Sequence, residues 1–230
     1  MDIVHIEARY KDKVILPSDF IDKLPNKVIL FTTVQYMNSF DSIKEQLETK
    51  GINVASVQPR HTRYEGQILG CSTETISLPG EYIYIGDGLF HPKALLLRNN
   101  SRVFTFNPKT GEKNILDKKA LINIINKIKN SYTKFLMADK IGVLISLKPG
   151  QMKPKLASGL EKKYPDKKFY FLVDNTFNFS SLIDFRGIKV FLNTMCERIG
   201  LDDMDVQNIP ILNVEDLNDL ENGVFDSLFD

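Results

Sequence analysis

Val28-Ile29-Leu30-Phe31-Thr32-Thr33-Val34 is an apolar, β-branched run, followed at a short distance by Phe40-Asp41-Ser42-Ile43-Lys44-Glu45-Gln46-Leu47-Glu48-Thr49-Lys50. The first stretch lacks strict alternation and reads as a buried parallel strand covered on both faces. The second puts Phe40, Ile43 and Leu47 on one helical face, with Gly51 as its C-terminal stop. Ile52 to Val57 reads as a further strand. Strand, helix and strand in this order make a βαβ unit, for which a right-handed crossover is the default.

The same alternation continues along the chain. Tyr82 to Ile85 reads as a strand ending in Gly86-Asp87-Gly88, and Val103 to Phe106 as another before the turn-like Asn107-Pro108. Asp117 to about Met137 is helical, with Ala120, Leu121, Ile124, Ile125 and Ile128 as its apolar stripe, and links two lobes. A second lobe then repeats the first: strand Ile141 to Leu147, a turn at Gly150-Gln151, a helix to about Lys163, strand Phe169 to Val173, and later strand Ile188 to Asn193. The strands at Val28 and Ile141 are offset by 113 positions (141 − 28), and Cys71 and Cys196 by 125 (196 − 71). Each lobe thus carries one Cys well after its second strand. The expected fold class is α/β: two similar parallel-sheet α/β domains, an internal duplication in which each domain contributes one cysteine. Chance similarity between βαβ units is the competing explanation.

Composition narrows the classes. A 230-residue chain with 43% hydrophobic content can bury one large core or two modest ones. Thirty basic and 29 acidic residues nearly cancel, so no general attraction to nucleic acid or anionic lipid is expected. The N-terminus has no apolar core of signal-peptide length, and no stretch approaches the roughly 18 apolar residues that span a bilayer. These features point to a cytoplasmic protein with no membrane or nucleic-acid partner. A reducing cytosol argues against a disulfide between the two cysteines, which composition alone would class as ordinary buried thiols.

The beginning of the chain stands apart. Asp2 to Ile6 reads as a strand with no preceding partner, leaving an edge with unpaired backbone groups. The expected division is therefore a remnant edge at 1–27, one α/β domain at 28–116 and another at 117–230.

Four segments carry candidate chemistry. In Gly66-Gln67-Ile68-Leu69-Gly70-Cys71 the glycines allow a tight loop that presents a thiol, and backbone amides beside small residues stabilise a thiolate or a cluster sulfide. A tight turn ending in a buried Cys fits equally. Gly86-Asp87-Gly88-Leu89-Phe90-His91-Pro92 lies at the end of a strand, where open α/β sheets place ligands. Its Asp and His serve as well for a turn former and a helix-start residue. Ser146-Leu147-Lys148-Pro149-Gly150-Gln151 occupies the strand-to-helix turn that Thr33-Val34-Gln35 occupies in the first lobe, and a helix N-terminus there suits a carboxylate or phosphate. Met195-Cys196-Glu197-Arg198 leads to Asp202-Asp203, and Arg198 is either a two-pronged carboxylate grip or a surface ion-pair partner.

Together these segments resemble the diphthamide synthase family, the 2-(3-amino-3-carboxypropyl)histidine synthases, from about Ile3 to about Asp219. GQILGC, GDGLFHP, SLKPGQ and MCERIGLDD occur in the family's order and with family-like spacing. The resemblance implies three α/β domains, each giving one cysteine to a 4Fe-4S cluster, with S-adenosyl-L-methionine bound at the iron left open. Its reductive cleavage would give a 3-amino-3-carboxypropyl radical that adds to a histidine of elongation factor 2, with the radical chemistry supplied by the cofactor. Cys71 matches the second cluster cysteine and Cys196 the third. Gln35, Gly86, Gly88, His91 and Gln151 fall on cofactor-pocket positions, and Arg198 on the Arg after the third cysteine.

Departures qualify the match. The first domain and its cysteine are missing, and no third Cys exists in the chain. Glu197 replaces the family's proline after the third cysteine, Met195 its alanine before it, and Asn107 an acidic residue often found before Pro108. An inward-pointing Glu197 carboxylate would lower a cluster's reduction potential. The expectation is one piece of a split enzyme, with a second chain supplying the missing domain and cysteine; the alternative is a non-catalytic accessory subunit of a complete synthase.

Overall fold

The computed structural model describes residues 6–202 and 210–223. The chain divides into two compact units, Met1–Leu121 and Ile122–Asp230. The first unit contains α1 (Ser18–Ile21), β1 (Lys27–Thr32), a 3-10 turn at Val34–Ser39, α2 (Phe40–Thr49), β2 (Asn53–Ala55), β3 (Glu81–Ile85), α3 (Phe90–Leu96), β4 (Val103–Phe106) and β5 (Lys113–Leu116). Its sheet runs β2-β1-β3-β4-β5. The first four strands are parallel and β5 is antiparallel to β4.

Val28, Ile29, Leu30 and Phe31 of β1 are wholly buried, as a central strand covered on both faces requires. Phe40, Ile43 and Leu47 are the buried face of α2, and Gly51 follows it with φ +81. The strand expected at Ile52 to Val57 pairs only over Asn53–Ala55. β5 was not foreseen. It turns back on β4 through Asn107, whose carbonyl accepts from Gly111 N at 2.8 Å and whose N–H donates to Glu112 O at 2.9 Å. A connection this short permits only an antiparallel return.

The stretch read as a remnant edge behaves differently where it is described. Val14, Leu16, Phe20 and Ile21 pack in one core with Leu30, Tyr36, Ile43 and Leu47. Gln46 clamps the backbone of Leu16 with both ends of its amide, accepting from N at 3.0 Å and donating to O at 2.8 Å. This part of 1–27 thus belongs to the first unit's own core. The strand read at Asp2 to Ile6 lies, apart from Ile6, outside the described residues.

The second unit contains α4 (Ile122–Met137), β6 (Lys140–Ser146), α5 (Pro154–Ser158), α6 (Leu160–Lys163), β7 (Lys168–Asp174), a 3-10 turn at Phe179–Asp184, β8 (Phe191–Asn193), α7 (Arg198–Asp202), β9 (Ile211–Asn213) and α8 (Val214–Glu221). Its sheet runs β7-β6-β8-β9, all parallel. Leu121, Ile125, Ile128, Ser131 and Phe135 form the buried stripe of the α4 region, while Ala120 and Ile124 are half-buried. The expected helix at 117–137 opens as a 3-10 turn at Lys118–Leu121. The expected helix to Lys163 is broken at Gly159, and only Phe191–Asn193 of the strand read at Ile188 to Asn193 is paired.

The parallel strands of the two sheets share one order, matching β1 with β6, β2 with β7, β3 with β8 and β4 with β9, while β5 has no counterpart among the described residues. The cysteines do not follow that match. Cys71 lies between the second and third strands of its sheet, whereas Cys196 lies directly after the third strand of the other. The topological counterpart of the Cys196 turn is the Gly86 to His91 turn, and that of the Cys71 loop is the connection holding Phe179–Asp184. Linear spacing concealed this difference because the loops differ in length. Among the described residues no helix is long and apolar enough to cross a membrane.

Candidate functional site

The Cys71 loop hangs from the carboxyl end of β1. β2 pairs with the first half of that strand, at Lys27 to Ile29. Beyond it the loop takes over: Thr32 N donates to Gly66 O and Ile68 N to Thr32 O, both at 2.8 Å. Gly66 has φ +73 and lies under the Phe40 ring, where a Cβ would come within 2.1 Å of a ring carbon. The buried Gln67 folds the preceding loop inward, its Oε1 accepting from the backbone N–H of Arg63 and Tyr64 at 2.8 and 3.1 Å.

A reciprocal turn then presents the cysteine. Ser72 N donates to Leu69 O while Leu69 N donates to Ser72 Oγ, each at 3.0 Å, and Thr73 N donates to Cys71 O at 3.0 Å. Ser72 and Thr73 are buried and Cys71 is exposed. The buried-thiol reading of GQILGC is therefore excluded. Gly70 lies against the Phe90 ring, where a Cβ would sit 2.1 Å from a ring carbon. The GQILGC and GDGLFHP segments are thus packed on each other.

In the second of these segments, Gly86 N donates to Phe106 O at 3.0 Å, closing the end of β3. Gly86 is a glycine because the wholly buried Tyr84 occupies the space of its missing side chain: a Cβ would lie 2.4 Å from the phenol oxygen. Gly88 has φ +62 and is exposed, so it shapes the turn. His91, half-buried, stacks on Tyr84, its Nδ1 3.3 Å from the phenol oxygen, which also donates to Asp87 O at 3.3 Å. Burial, with the Asp87 carboxylate nearby, pushes the Tyr84 phenol well above its ordinary pKa and keeps it a donor. Gly86→Ala is expected to cost the first unit about 1–3 kcal/mol through overpacking. Urea denaturation checks this, and Tyr84→Phe in the same chain should recover part of the loss because it removes the nearest of the clashing atoms.

These turns border an open cavity of about 430 Å³ whose walls include Thr33, Gln35, Gln67, Leu69, Asp87 and His91. The Thr33 Oγ1 is buried there without a hydrogen-bond partner, although buried hydroxyls are normally satisfied. Glu7 closes one side. Its carboxylate accepts from Arg9 Nη2 at 2.6 Å and Nε at 3.0 Å, from Tyr64 OH at 3.1 Å and from Arg63 Nη1 at 3.2 Å. The Arg9 hydrogen bonds, reinforced by Tyr64 and the two guanidinium charges, hold the Glu7 carboxyl below the usual carboxylate range. A depressed folded-state pKa gives stability that is present above the ordinary carboxylate pKa and lost as pH falls through the lowered value. The protection factor against hydrogen exchange at the Tyr10 amide, which donates to Gln35 O at 2.7 Å, should therefore fall only as pH drops below the ordinary carboxylate range, and Glu7→Gln should remove that fall.

In the second unit the SLKPGQ turn follows β6. Ser146 Oγ accepts from Lys148 N at 3.0 Å, Gln151 N donates to Lys148 O at 3.1 Å, and Gly150 has φ +79. Gln151 is half-buried. The helix N-terminus expected at this turn is absent: α5 begins only at Pro154 and has five residues, and the first unit has a 3-10 turn at the matching place.

The Cys196 turn is fixed from beneath. Thr194 N and Oγ1 both donate to Leu144 O in β6, at 3.2 and 2.8 Å. Asn193 closes β8; its Oδ1 accepts from Met195 N at 3.0 Å and its Nδ2 donates to Cys196 O at 2.9 Å and to Asn213 Oδ1 at 2.7 Å. Asn213, at the end of β9, donates from Nδ2 to Glu197 O at 2.9 Å and to Asp216 Oδ2 at 2.7 Å. Asn193, Asn213 and Asp216 are at most 1% exposed. Cys196, Glu197 and Arg198 are half-buried, with Arg198 opening α7.

The structure therefore gathers Gln35, Gly86, Gly88, His91 and Cys71 at the carboxyl end of the first sheet, with Gly86 and Gly88 shaping the backbone. It gathers Gln151, Cys196 and Arg198 at the carboxyl end of the second. Sequence reasoning missed Thr33, Gln67 and Tyr84, and the Asn193, Asn213 and Asp216 network. A signal for the last was present: β8 and β9 both end in Leu-Asn, and Asn193 pairs with Asn213 in register. A larger cavity of about 620 Å³, lined by Ala138, Phe185, Phe191 and Pro210 among others, opens at the other ends of the strands of the second sheet.

Comparison with known proteins identifies the family. A family model described as "Putative diphthamide synthesis protein" matches residues 2–220. The 2-(3-amino-3-carboxypropyl)histidine synthase of Pyrococcus horikoshii is 30% identical over 202 residues, which is 86% of this chain and 58% of that protein. The synthase of Methanocaldococcus jannaschii is 24% identical over 98% of this chain and 62% of its own length. The crystal structure of Dph2 from Pyrococcus horikoshii with a 4Fe-4S cluster superposes with a TM-score of 0.75 at 27% identity, covering 89% of this chain and 60% of that one. The chain spans about three-fifths of the length of these relatives, and it belongs to the diphthamide synthesis family.

Proposed function

We propose that this chain is part of a 2-(3-amino-3-carboxypropyl)histidine synthase, a transferase that moves a 3-amino-3-carboxypropyl group from S-adenosyl-L-methionine to a histidine of elongation factor 2. Cys71 and Cys196 would each hold one iron of a 4Fe-4S cluster, and the third thiolate would come from outside these 230 residues. The observation that carries this reading is common to both thiols. Each lies at the carboxyl end of the parallel strands of its sheet, tied by backbone hydrogen bonds to an inner strand, at Thr32 of β1 for the Cys71 loop and at Leu144 of β6 for the Cys196 turn. That end of an open α/β sheet is where ligands bind.

The donor set suits a soft metal centre. Thiolates are the ligands of iron-sulfur clusters, and Cys71 is exposed enough to reach a group outside its own loop. When bound, the cluster would supply the electron for reductive cleavage of the sulfonium. The residues of this chain hold and orient. The cavity beside the Cys71 loop offers Thr33 Oγ1, Gln35 and His91 as polar contacts for S-adenosyl-L-methionine, and Gln151 and Arg198 would serve its carboxylate from the second unit.

The test is anaerobic reconstitution with ferrous iron and sulfide, with and without the part of the Pyrococcus horikoshii synthase that lies outside the matched region. A complete four-iron cluster only in the mixture is the expected result. A complete cluster on the lone chain would contradict the need for a third donor from elsewhere. A second reading is a non-catalytic accessory subunit of a complete synthase. Turnover unaffected by Cys71→Ala in the reconstituted mixture would establish it.

A further inference from the structure

We propose that Asn213, oriented by Asp216 and coupled to Asn193, is a positioning residue that sets the geometry of the Cys196 turn and thereby how firmly that thiolate holds its metal. The proposal rests on the reading of Cys196 as a cluster ligand and extends it to residues that touch neither metal nor substrate.

Three side chains that are at most 1% exposed sit directly under the turn. Polar groups at such depth are costly unless fully paired, and a paired network specifies one arrangement. Here the pairing has a direction. The Asp216 carboxylate and the Glu197 carbonyl both accept from Asn213 Nδ2, which leaves Asn213 Oδ1 facing the amide of Asn193. That contact fixes which end of Asn193 is the donor, so its Nδ2 reaches Cys196 O and its Oδ1 receives Met195 N. The 194–195 peptide before the Met195-Cys196 pair, through Met195 N, and the 196–197 and 197–198 peptides after it, through the carbonyls of Cys196 and Glu197, are thus held by side chains whose orientation is set from Asp216.

The network has no room to shift. Gly200 in α7 packs on Asn213 so closely that a Cβ there would lie 2.4 Å from Oδ1. A simple helix cap would need only one of these side chains. Two asparagines from adjacent strands, in register and each bonded to a different carbonyl of the turn, fix the turn at two points.

The expectation can be read without turnover. In the full-length chain, the rate of iodoacetamide alkylation at Cys196, followed by peptide mass spectrometry at one fixed pH, should change by about tenfold or more in Asn213→Ala, the scale seen when groups supporting a ligand are removed. Alkylation at Cys71, in the other unit, should stay unchanged and serves as an internal control. Asp216→Asn, which keeps an acceptor for Asn213, should stay within about twofold of the parent, the rescue that a purely charge-based role would not give. Should Asn213→Ala not fold, Asn193→Ser, which gives up the amide to Cys196 O but keeps a small polar group, carries the same expectation. In the reconstituted mixture, cluster retention against an iron chelator should fall about tenfold or more in the same variant. Unchanged Cys196 alkylation in a folded Asn213→Ala or Asn193→Ser chain would overturn the proposal. A parent mixture that forms no cluster would overturn the functional reading instead, and the alkylation result would still decide the role of the network.

Discussion

Replacing Cys196 with alanine is expected to abolish the cluster in the reconstituted mixture, with turnover falling by at least about a hundredfold, the upper end of what removal of mere supporting groups costs. Cys71→Ala should do the same. The reason is arithmetic as much as chemistry: the chain has two cysteines, and a cluster that draws two of its three thiolates from it keeps only one of them after either change. The fold should survive both. Cys71 is exposed and Cys196 half-buried, and the substitutions remove one sulfur each, so stability is expected to change by no more than about 1 kcal/mol. Iron and sulfide content, measured with thermal denaturation on the same samples, separates loss of a ligand from loss of structure.

The second large effect is expected at Gly66. The residue has φ +73, which costs a side-chain-bearing residue about 1–2 kcal/mol. An added Cβ would also overlap the Phe40 ring at 2.1 and 2.3 Å. That ring is buried in the core shared with Tyr36, Ile43 and Ile85, so it has little freedom to withdraw, and overpacking adds about 1–3 kcal/mol. Gly66→Ala should thus destabilise the first unit by roughly 2–5 kcal/mol, read by urea denaturation. Part of that strain is expected to be relieved by lifting the loop from Thr32, since Thr32 N and Ile68 N hold it there. Hydrogen exchange at the Ile68 amide should then quicken ahead of global unfolding. Gly51→Ala, at a comparable φ of +81 but with nothing within 4 Å of the added atom, should cost only the backbone part.

The periodicity of β1, α2 and β6 made the two lobes legible, because apolar runs buried on both faces and one amphipathic helix leave strong marks in a sequence. What was not legible depends on pairing rather than on composition. Lys113-Asn114-Ile115-Leu116 is too short and too polar to announce β5, and it is a strand because the turn at Asn107 returns it beside β4. The three-residue β9 is recognisable only beside β8. The segment from Val14 to Ile21 looked like an appendage because its buried residues have no regular period, yet Gln46 and the core around Tyr36 hold it.

The candidate site divides in the same way. The GQILGC and GDGLFHP segments could be singled out by their glycines, and the structure gives three of those glycines a packing reason in the rings of Phe40, Phe90 and Tyr84. The equivalence assumed between the two cysteines did not survive, since roughly similar offsets along a chain, 113 for the strands and 125 for the cysteines, do not imply equal places in a topology. Asn193, Asn213 and Asp216 went unnoticed because each is an ordinary residue in sequence, and they form a network only when β9 lies beside β8.

The claim on which everything else rests is that the two thiols meet at one centre. Spin labels attached to Cys71 and Cys196 in the full-length chain, mixed with the complementary part of the Pyrococcus horikoshii synthase, measure this directly. The account predicts strong dipolar broadening in the continuous-wave spectrum, the mark of two labels at close range, and its loss when either cysteine is replaced by alanine. Sharp, unbroadened lines in the doubly labelled complex would place the thiols too far apart to share a cluster and would contradict it.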